Sequence, residues 1–326
     1  MDKPKVYVTR RIPDAGLDML AAHCDVAVNP EDRALARDEL LAAVAGVHGV
    51  VGLLTDRIDG EFFDAAPNLK GYANYAVGYD NIDVAEATRR GLPVSNTPDV
   101  LTEATAELAW ALLFAAVRRV VESDAVMRSG KWPGWGPLQF IGGDVTSKTL
   151  GIVGAGRIGT AMALMSRGFN MRVLYTRASG PNEVLDRELT ARHVGLDELL
   201  AESDFISIHV PLTDRTRHMF DARAFSRMKQ RAVLINTSRG PVVDEAALVA
   251  ALQSGDIAAA GLDVYENEPA MAPGLAECPN AVILPHIGSA TRSSRDGMAV
   301  LAAENLLAML KGSTPPTCLN PEVLSG

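Results

Sequence analysis

Gly154, Gly156 and Gly159 stand between an apolar segment, Thr149–Val153, and an amphipathic segment at 157–167. The first segment predicts a buried strand and the second predicts a helix. In such a strand–turn–helix, the first glycine permits a tight turn and the second lets the backbone approach a pyrophosphate. The third lets the helix pack closely on the strand, and the helix N-terminus offers N–H groups to the phosphates. The spacing therefore predicts a dinucleotide site.

Three charged side chains, Arg239, Glu268 and His286, follow apolar segments in the second half of the chain. The segments that predict these strands lie at 232–237, 258–264 and 281–284. In doubly wound sheets, the edge formed by the carboxyl ends of the strands lines the ligand crevice. Each residue alone is typical of an ordinary surface loop, but the three together beside a dinucleotide indicate a catalytic set.

Side chains of these three types suit the reduction of a 2-keto acid by hydride. Hydride transfer leaves negative charge on the carbonyl oxygen, and an imidazole such as that of His286 can supply the proton near neutral pH. Glu268 can orient that ring and favour its protonated form. Arg239 can bind a substrate carboxylate through two parallel hydrogen bonds and polarise the carbonyl. A nicotinamide would supply the hydride.

The composition of the 326-residue chain limits the binding partners and the cellular compartment that we expect for it. Its formal net charge of -9 disfavours nucleic acid as a partner. The sequence has no apolar run of the roughly 20 residues that a membrane-spanning helix needs, and no signal peptide is expected. Cys24, Cys278 and Cys318 are widely spaced, which is typical of a reducing cytoplasm and indicates no metal site.

Strand-like and helix-like segments alternate along the chain, which predicts an α/β fold with two doubly wound parallel sheets joined by long helices. One series of strands occupies the first hundred residues, and a second begins at 149. A long helix-forming segment at 101–127 precedes a Gly- and Pro-rich loop that holds Trp132 and Trp135. We expect the last helix, at 291–310, to return to the first domain. The predicted domains are therefore 1–100 plus 290–326, and 101–289.

Several long motifs in the right order resemble the D-isomer-specific 2-hydroxyacid dehydrogenase family, and within it the glyoxylate/hydroxypyruvate reductase branch. They are NYAVGYDNID at 74–83, NTPDVLTEATAE at 96–107, the glycine turn, VPLT at 210–213 and the segments of the three charged residues. The resemblance covers essentially the whole chain. It implies a Rossmann-type cofactor domain, a flavodoxin-like substrate domain and a homodimer in which Trp132 or Trp135 lies near the neighbouring subunit.

The resemblance also implies residue roles. Arg239, Glu268 and His286 would be catalytic, with His286 as the acid–base. Substrate would be bound by Leu54, Ala76, Val77, Gly78, Arg239 and His286. The cofactor would be bound by Thr105, Gly154, Gly156, Arg157, Ile158, Gly159, Thr176, Arg177, Pro211, Thr237, Ser238, Arg239, Asp263, His286 and Gly288, with Asp263 on the nicotinamide carboxamide.

Arg177 stands where a site for NAD(H) normally carries an acidic residue that holds the ribose hydroxyls. An arginine at this point can bind the 2′-phosphate of NADP(H), and Thr176 or Ser179 can add hydroxyl donors. We therefore expect NADP(H) to be preferred, with NAD(H) possible. The alternative is that Arg177 faces solvent and both cofactors are accepted.

Other interpretations remain within and outside the family. A D-3-phosphoglycerate dehydrogenase or another D-2-hydroxyacid dehydrogenase would carry the same motifs, although long forms of the former have an additional regulatory domain. Formate dehydrogenases of this fold have glutamine in place of Glu268. A non-catalytic, dinucleotide-sensing scaffold is the alternative from a different class, since a fold does not determine a function.

Overall fold

The structure is a computed structural model that describes residues 3–324. The chain forms two compact units. Unit 1 contains the residues up to Leu101 together with those from Ser289 onward, and unit 2 is Thr102–Gly288. These divisions lie one residue from those expected from the sequence, at 100 and 290. In the described part of the chain, no helix combines the length and the apolar character needed to cross a membrane.

Unit 1 contains a five-stranded parallel sheet. Its strands, in the spatial order β2-β1-β3-β4-β5, are β1 (Lys5–Val8), β2 (Asp25–Val28), β3 (Gly49–Gly52), β4 (Tyr72–Asn74) and β5 (Val94–Ser95). This is the flavodoxin-like order. The central strand β3 is buried along its whole length, because helices cover a parallel sheet on both faces.

The helices of unit 1 come from both ends of the chain. They are α1 (Asp14–His23), α2 (Arg37–Val44), α3 (Gly60–Ala65), α4 (Val84–Arg89) and α12 (Arg292–Leu310). The C-terminal helix α12 packs on α1, β3 and β4. A Cβ on Gly16 of α1 would lie 2.5 Å from the Ala299 carbonyl oxygen, so this contact brings the two helices within backbone distance.

Unit 2 contains a seven-stranded parallel sheet. In the spatial order β12-β11-β10-β9-β6-β7-β8, its strands are β6 (Thr149–Val153), β7 (Arg172–Thr176), β8 (Arg192–His193), β9 (Phe205–Ile208), β10 (Val233–Asn236), β11 (Ala259–Leu262) and β12 (Ala281–Ile283). This is the Rossmann order 3-2-1-4-5-6 with one further strand. The predicted pair of doubly wound parallel sheets is confirmed.

Seven α-helices lie within the described residues of unit 2. They are α5 (Thr102–Val117), α6 (Val120–Arg128), α7 (Arg157–Met165), α8 (Glu183–Leu189), α9 (Leu196–Glu202), α10 (Ala222–Arg227) and α11 (Glu245–Ser254). Helix α5 packs on α7 and on strands β10 and β11. The Trp110 indole N–H of α5 donates to the Met162 carbonyl oxygen of α7 at 3.1 Å.

The single helix expected over 101–127 is wrong, because the segment folds as α5 and α6. Arg119 adopts a left-handed conformation with φ 52°, which ends one helix and begins the next. Nine of the 16 residues of α5 are buried, nearly all of them apolar, whereas α6 has no buried residue. The break therefore separates a core helix from a surface helix.

Candidate active site

The three glycines of the 154–159 turn meet three different constraints. Gly154 has φ 99°, and a Cβ there would lie 2.8 Å from the Val210 backbone nitrogen. A Cβ on Gly159 would lie 2.3 Å from the Gly154 carbonyl oxygen, so this residue lets α7 approach β6. A Cβ on Gly156 would meet no atom of the described chain within 4 Å. Gly156 therefore borders open space at the start of α7.

The residues around this turn fit a dinucleotide. Helix α7 begins at Arg157, with Gly156 as its N-cap, and no side chain of the described chain caps it. Its first N–H groups and the helix dipole therefore offer a site for phosphate that includes Ile158. The Thr237 hydroxyl at the end of β10 is buried without a hydrogen-bond partner among residues 3–324, which leaves a polar group for a ligand to satisfy.

Thr176 and Arg177 lie at the carboxyl end of β7, beside the glycine turn. The Thr176 hydroxyl accepts the Gly154 N–H at 3.2 Å. The half-buried Arg177 donates from Nη1 to the Pro181 carbonyl oxygen at 3.1 Å, and its own carbonyl accepts His193 Nε2 at 3.3 Å. No acidic residue occurs between 177 and 181. An anion at this loop would therefore face a guanidinium rather than a carboxylate.

Asn182 organises this loop, although no sequence motif indicates it. Its buried amide donates to the Thr160 hydroxyl at 2.8 Å and to the Ala155 carbonyl oxygen at 3.3 Å. Its side-chain oxygen accepts the N–H groups of Val184 and Leu185, which caps α8. The side chain thus ties the 177–182 loop to the glycine turn.

Arg239 lies in a corner after β10 that is shaped by Asn236. The Asn236 amide donates to the Arg239 carbonyl oxygen at 3.0 Å, and its oxygen accepts both the N–H and the hydroxyl of Ser238. The half-buried Arg239 donates from Nη1 to the Ser238 carbonyl oxygen at 2.9 Å. The guanidinium is therefore carried on a hydrogen-bonded corner.

Gly240 brings this corner against the loop that follows β11. A Cβ at position 240 would lie 1.8 Å from both the carbonyl carbon and the carbonyl oxygen of Tyr265, and 2.4 Å from the Glu266 nitrogen. No side chain fits there without displacing backbone. The Tyr265 hydroxyl donates to the Leu284 carbonyl oxygen at 2.8 Å, and burial is the main cause that raises its pKa to about 12.

Glu268 and His286 form the pair expected from the sequence. His286 Nδ1 lies 2.9 Å from Glu268 Oε2, and the other carboxylate oxygen accepts the Tyr265 N–H at 3.0 Å. Burial alone would raise the pKa of Glu268. The hydrogen bond and charge of His286, the Tyr265 N–H and the Arg239 charge outweigh burial and hold this pKa below its usual range. An ionised carboxylate only accepts, so Nδ1 carries the proton and Nε2 is the ring atom that can exchange one.

Asp263 holds the loop that carries His286. Its carboxylate accepts the Ile287 N–H at 2.8 Å and the Gly288 N–H at 2.7 Å, and the side chain is buried. Burial raises the pKa of Asp263, with these two N–H groups and the His286 charge opposing. His286 has φ 55°, a conformation that costs free energy in a non-glycine residue and needs such support. The sequence predicts Asp263 only as a cofactor residue, and no sequence pattern indicates this second role.

Three further residues expected to bind the cofactor lie in α5 and in the loops after β9 and β12. The Thr105 hydroxyl of α5 donates to the Gly288 carbonyl oxygen at 3.2 Å. A Cβ on Gly288 would lie 3.2 Å from Asp263 Oδ2, so Thr105, Asp263 and Gly288 form one cluster. Pro211 is exposed after β9, and its carbonyl accepts the Thr216 hydroxyl at 2.7 Å.

The residues named for substrate in unit 1 lie in two loops after β3 and β4. Leu54 is partly exposed, and the Leu53 N–H beside it donates to the buried Asp56 carboxylate at 2.8 Å. The turn at 76–78 is held by amides, since Asn74 donates to the Gly78 carbonyl and Asn96 donates to the Val77 carbonyl, at 2.9 and 2.7 Å. Ala76 is buried, and its carbonyl accepts the Thr97 N–H at 2.9 Å.

Comparison with known proteins gives a family match over more than half of the chain. A model of the D-isomer specific 2-hydroxyacid dehydrogenase, NAD binding domain, matches residues 110–288. A glyoxylate reductase from Thermococcus gammatolerans is 52% identical over 326 residues, covering 99% of this chain and 97% of that protein.

Solved structures of glyoxylate reductases are similar to this chain over nearly its whole length. The NADPH-dependent glyoxylate/hydroxypyruvate reductase from Sinorhizobium meliloti, in complex with NADP and malonate, is 34% identical with a TM-score of 0.85, covering 98% of this chain and 97% of that one. A glyoxylate reductase from Paecilomyes thermophila is 33% identical with a TM-score of 0.88, covering 99% of this chain and 100% of that one.

We expect Asp263→Asn to lower the free energy of unfolding by about 1–3 kcal/mol, because an amide offers one acceptor oxygen to two buried N–H groups. Urea denaturation measures this loss, and amide hydrogen exchange should quicken at Ile287 and Gly288. The exposed Asp256, which accepts the Ser254 hydroxyl, provides the control Asp256→Asn. Equal stability of the two variants would contradict the role of Asp263 in holding this loop.

Proposed function

Because the chain belongs to the D-isomer specific 2-hydroxyacid dehydrogenases, we propose that it reduces glyoxylate or hydroxypyruvate to the D-2-hydroxy acid, with NADPH preferred over NADH. The observation that carries the proposal is the 2.9 Å hydrogen bond between His286 Nδ1 and Glu268. The names of the glyoxylate reductase relatives, at about half identity over nearly the full chain, support the choice of substrate.

In the proposed mechanism, Arg239 binds the substrate carboxylate and polarises the adjacent carbonyl. Leu54 and the backbone of Ala76, Val77 and Gly78 are further proposed substrate contacts. When bound, the reduced nicotinamide supplies the hydride. His286 donates the Nε2 proton to the carbonyl oxygen as charge develops there, while Glu268 keeps the imidazole oriented and stabilises its charged form.

The proposed cofactor site is centred on the glycine turn. The open space at Gly156 and the N–H groups at the start of α7, including those of Arg157, Ile158 and Gly159, would hold the pyrophosphate. The Thr237–Arg239 corner, with Ser238 at its centre, and the cluster of Thr105, Asp263 and Gly288 would lie toward the nicotinamide. Pro211 would border the cofactor, and Thr176 and Arg177 would face the ribose that carries the 2′-phosphate.

We also propose a homodimer and a cytoplasmic setting. The structure describes exposed apolar side chains along α6 and the loop after it, at Val120, Val121, Met127, Trp132, Trp135, Leu138 and Ile141. Exposed apolar side chains in such number are typical of a protein interface, and the family architecture makes a second copy the expected partner. The thiols Cys24, Cys278 and Cys318 are unpaired, which supports a reducing compartment.

The activity is tested by following the absorbance of NADPH with glyoxylate, hydroxypyruvate and a panel of other 2-keto acids. We expect His286→Ala to lower kcat by about 10²- to 10⁴-fold, the usual contribution of a positioned acid–base, with little change in the Kd of NADPH. His23→Ala is the control, because His23 is an exposed histidine at the end of α1, outside the proposed site. If none of the 2-keto acids is reduced, the dehydrogenase assignment is refuted and the non-catalytic scaffold is favoured.

Cofactor preference is tested with Arg177→Asp. Loss of the guanidinium should raise the KM for NADPH by about 10- to 100-fold, the usual worth of a hydrogen-bonded charge, and should change the KM for NADH far less. Arg187→Asp on the exposed side of α8 removes the same charge away from this loop and should change neither value. Equal effects of Arg177→Asp on both cofactors would contradict the assignment.

The homodimer is tested by sedimentation velocity of the variants Val121→Asp and Trp135→Asp. A carboxylate buried in an apolar interface is costly, so each variant should shift the protein toward the monomer at micromolar concentration. Val184→Asp, at an exposed valine of α8, should sediment like the unchanged protein. A protein that is monomeric before any substitution would overturn this proposal.

A further inference from the structure

Glu245 is a buried carboxylate to which the mechanism above assigns no role. It is the first residue of α11, and only 3% of its surface is exposed. The N-terminus of that helix is already capped by Asp244, whose side chain accepts the Ala247 N–H at 2.9 Å. Capping of α11 therefore does not account for a buried acidic side chain at this position.

The contacts of Glu245 lead to the loop that presents Glu268. The Glu266 N–H donates to Glu245 Oε2 at 3.2 Å, and the Glu245 N–H donates in return to Glu266 Oε2 at 3.3 Å. The second oxygen of Glu266 lies 2.6 Å from His218 Nε2. Glu266 is thereby held from both sides, two residues before the partner of His286.

Two successive backbone N–H groups of this loop are bound by two different carboxylates. The Tyr265 N–H donates to Glu268 itself, and the Glu266 N–H donates to Glu245. Gly240 packs on the peptide between these residues, so the loop touches the Arg239 corner on one side and α11 on the other. The direction in which Glu268 points therefore depends on where Glu245 holds the peptide.

The electrostatics fit an anchor that acts through hydrogen bonds rather than through charge. Burial raises the pKa of Glu245. The N–H groups of Glu266 and Ala272 oppose that rise, and the negative charges of Glu266 and Glu268 add to it. Repulsion between the Glu245 and Glu268 carboxylates cannot hold the loop in place. The acceptor oxygen is the useful part of the side chain, and glutamine supplies the same oxygen without the charge.

We propose that Glu245 is a positioning residue that holds the loop at 265–268 so that Glu268 meets His286. The proposal rests on the proposed function, in which His286 is the acid–base. Glu245 itself touches neither substrate nor cofactor in this role. It acts by accepting the Glu266 N–H, a contact between residues 21 positions apart in the chain.

The first test compares Glu245→Ala with Glu245→Gln. We expect Glu245→Ala to lower kcat by about 10- to 100-fold, the cost of misplacing a catalytic group by roughly 1 Å, with an unchanged Kd for NADPH by fluorescence titration. Glu245→Gln should restore kcat to within about threefold of the unchanged protein, since it keeps the acceptor oxygen. The control is Glu198→Ala, at a partly exposed glutamate in the first turn of α9 that pairs with Arg192.

The second test separates positioning from general support of the fold. If Glu245 acts through Glu268, Glu245→Ala should have little effect on kcat once Glu268 is replaced by glutamine. In that background we expect kcat to fall by less than about threefold. A Glu245→Ala effect of the same size in both backgrounds would overturn the proposal, because a purely structural loss does not depend on the Glu268 carboxylate.

A spectroscopic test is independent of turnover. The downfield proton resonance of His286 Nδ1–H, identified by its loss in His286→Ala, should shift or broaden in Glu245→Ala and persist in Glu245→Gln. An unchanged resonance in Glu245→Ala would refute the positioning role. If the unchanged protein shows no turnover but the resonance responds as expected, the proposed function is refuted. The positioning of His286 by Glu245 would still be supported.

Discussion

The geometry of the site depends on a backbone contact between the ends of two neighbouring strands. Strands β10, β11 and β12 end in register, with Asn236 beside Leu262 and Leu262 beside Ile283. The loops after them therefore leave the sheet at one edge. Gly240 then lies so close to the Tyr265–Glu266 peptide that no other residue fits. This contact determines how far the Arg239 corner stands from the loop of Glu268, and the remaining side chains of the site are arranged around it.

Buried carboxylates and amides stabilise the loops around this contact by accepting or donating backbone hydrogen bonds. Asp263 accepts two N–H groups beside His286. In the loop after β10, Asn236 donates to the Arg239 carbonyl, and in the loop after β7, Asn182 accepts the Leu185 N–H. Such bonds replace the water that these loops would otherwise need, since a buried polar backbone group without a partner is costly. These bonds hold the proposed catalytic groups in one orientation before any ligand binds, which would lower the free energy of reaching the reactive arrangement.

The sheets could be predicted from the sequence because strands that are covered on both faces appear as short apolar runs. The two-residue strand β8 is exposed and leaves no such run, so the sequence pattern does not predict it. The break at Arg119 was missed because helix propensity does not distinguish α5, which packs on the sheet, from α6, which buries nothing. Arg239, Glu268 and His286 could be found from their position after strands. The roles of Asn182 and Asp263 could not, because their hydrogen bonds join segments that are distant in sequence.

The discontinuity of unit 1 has a consequence for synthesis on the ribosome. Strands β3 and β4 emerge early, yet helix α12, which covers them, is made after the whole of unit 2. Leu306 and Met309 of α12 lie over Gly49 and Gly71, at the start of β3 and just before β4, where a Cβ on either glycine would meet them within 3 Å. The nascent chain must therefore leave the α12 side of this sheet uncovered while nearly two hundred further residues are added. During that interval the uncovered side is apolar surface of the kind that chaperones bind.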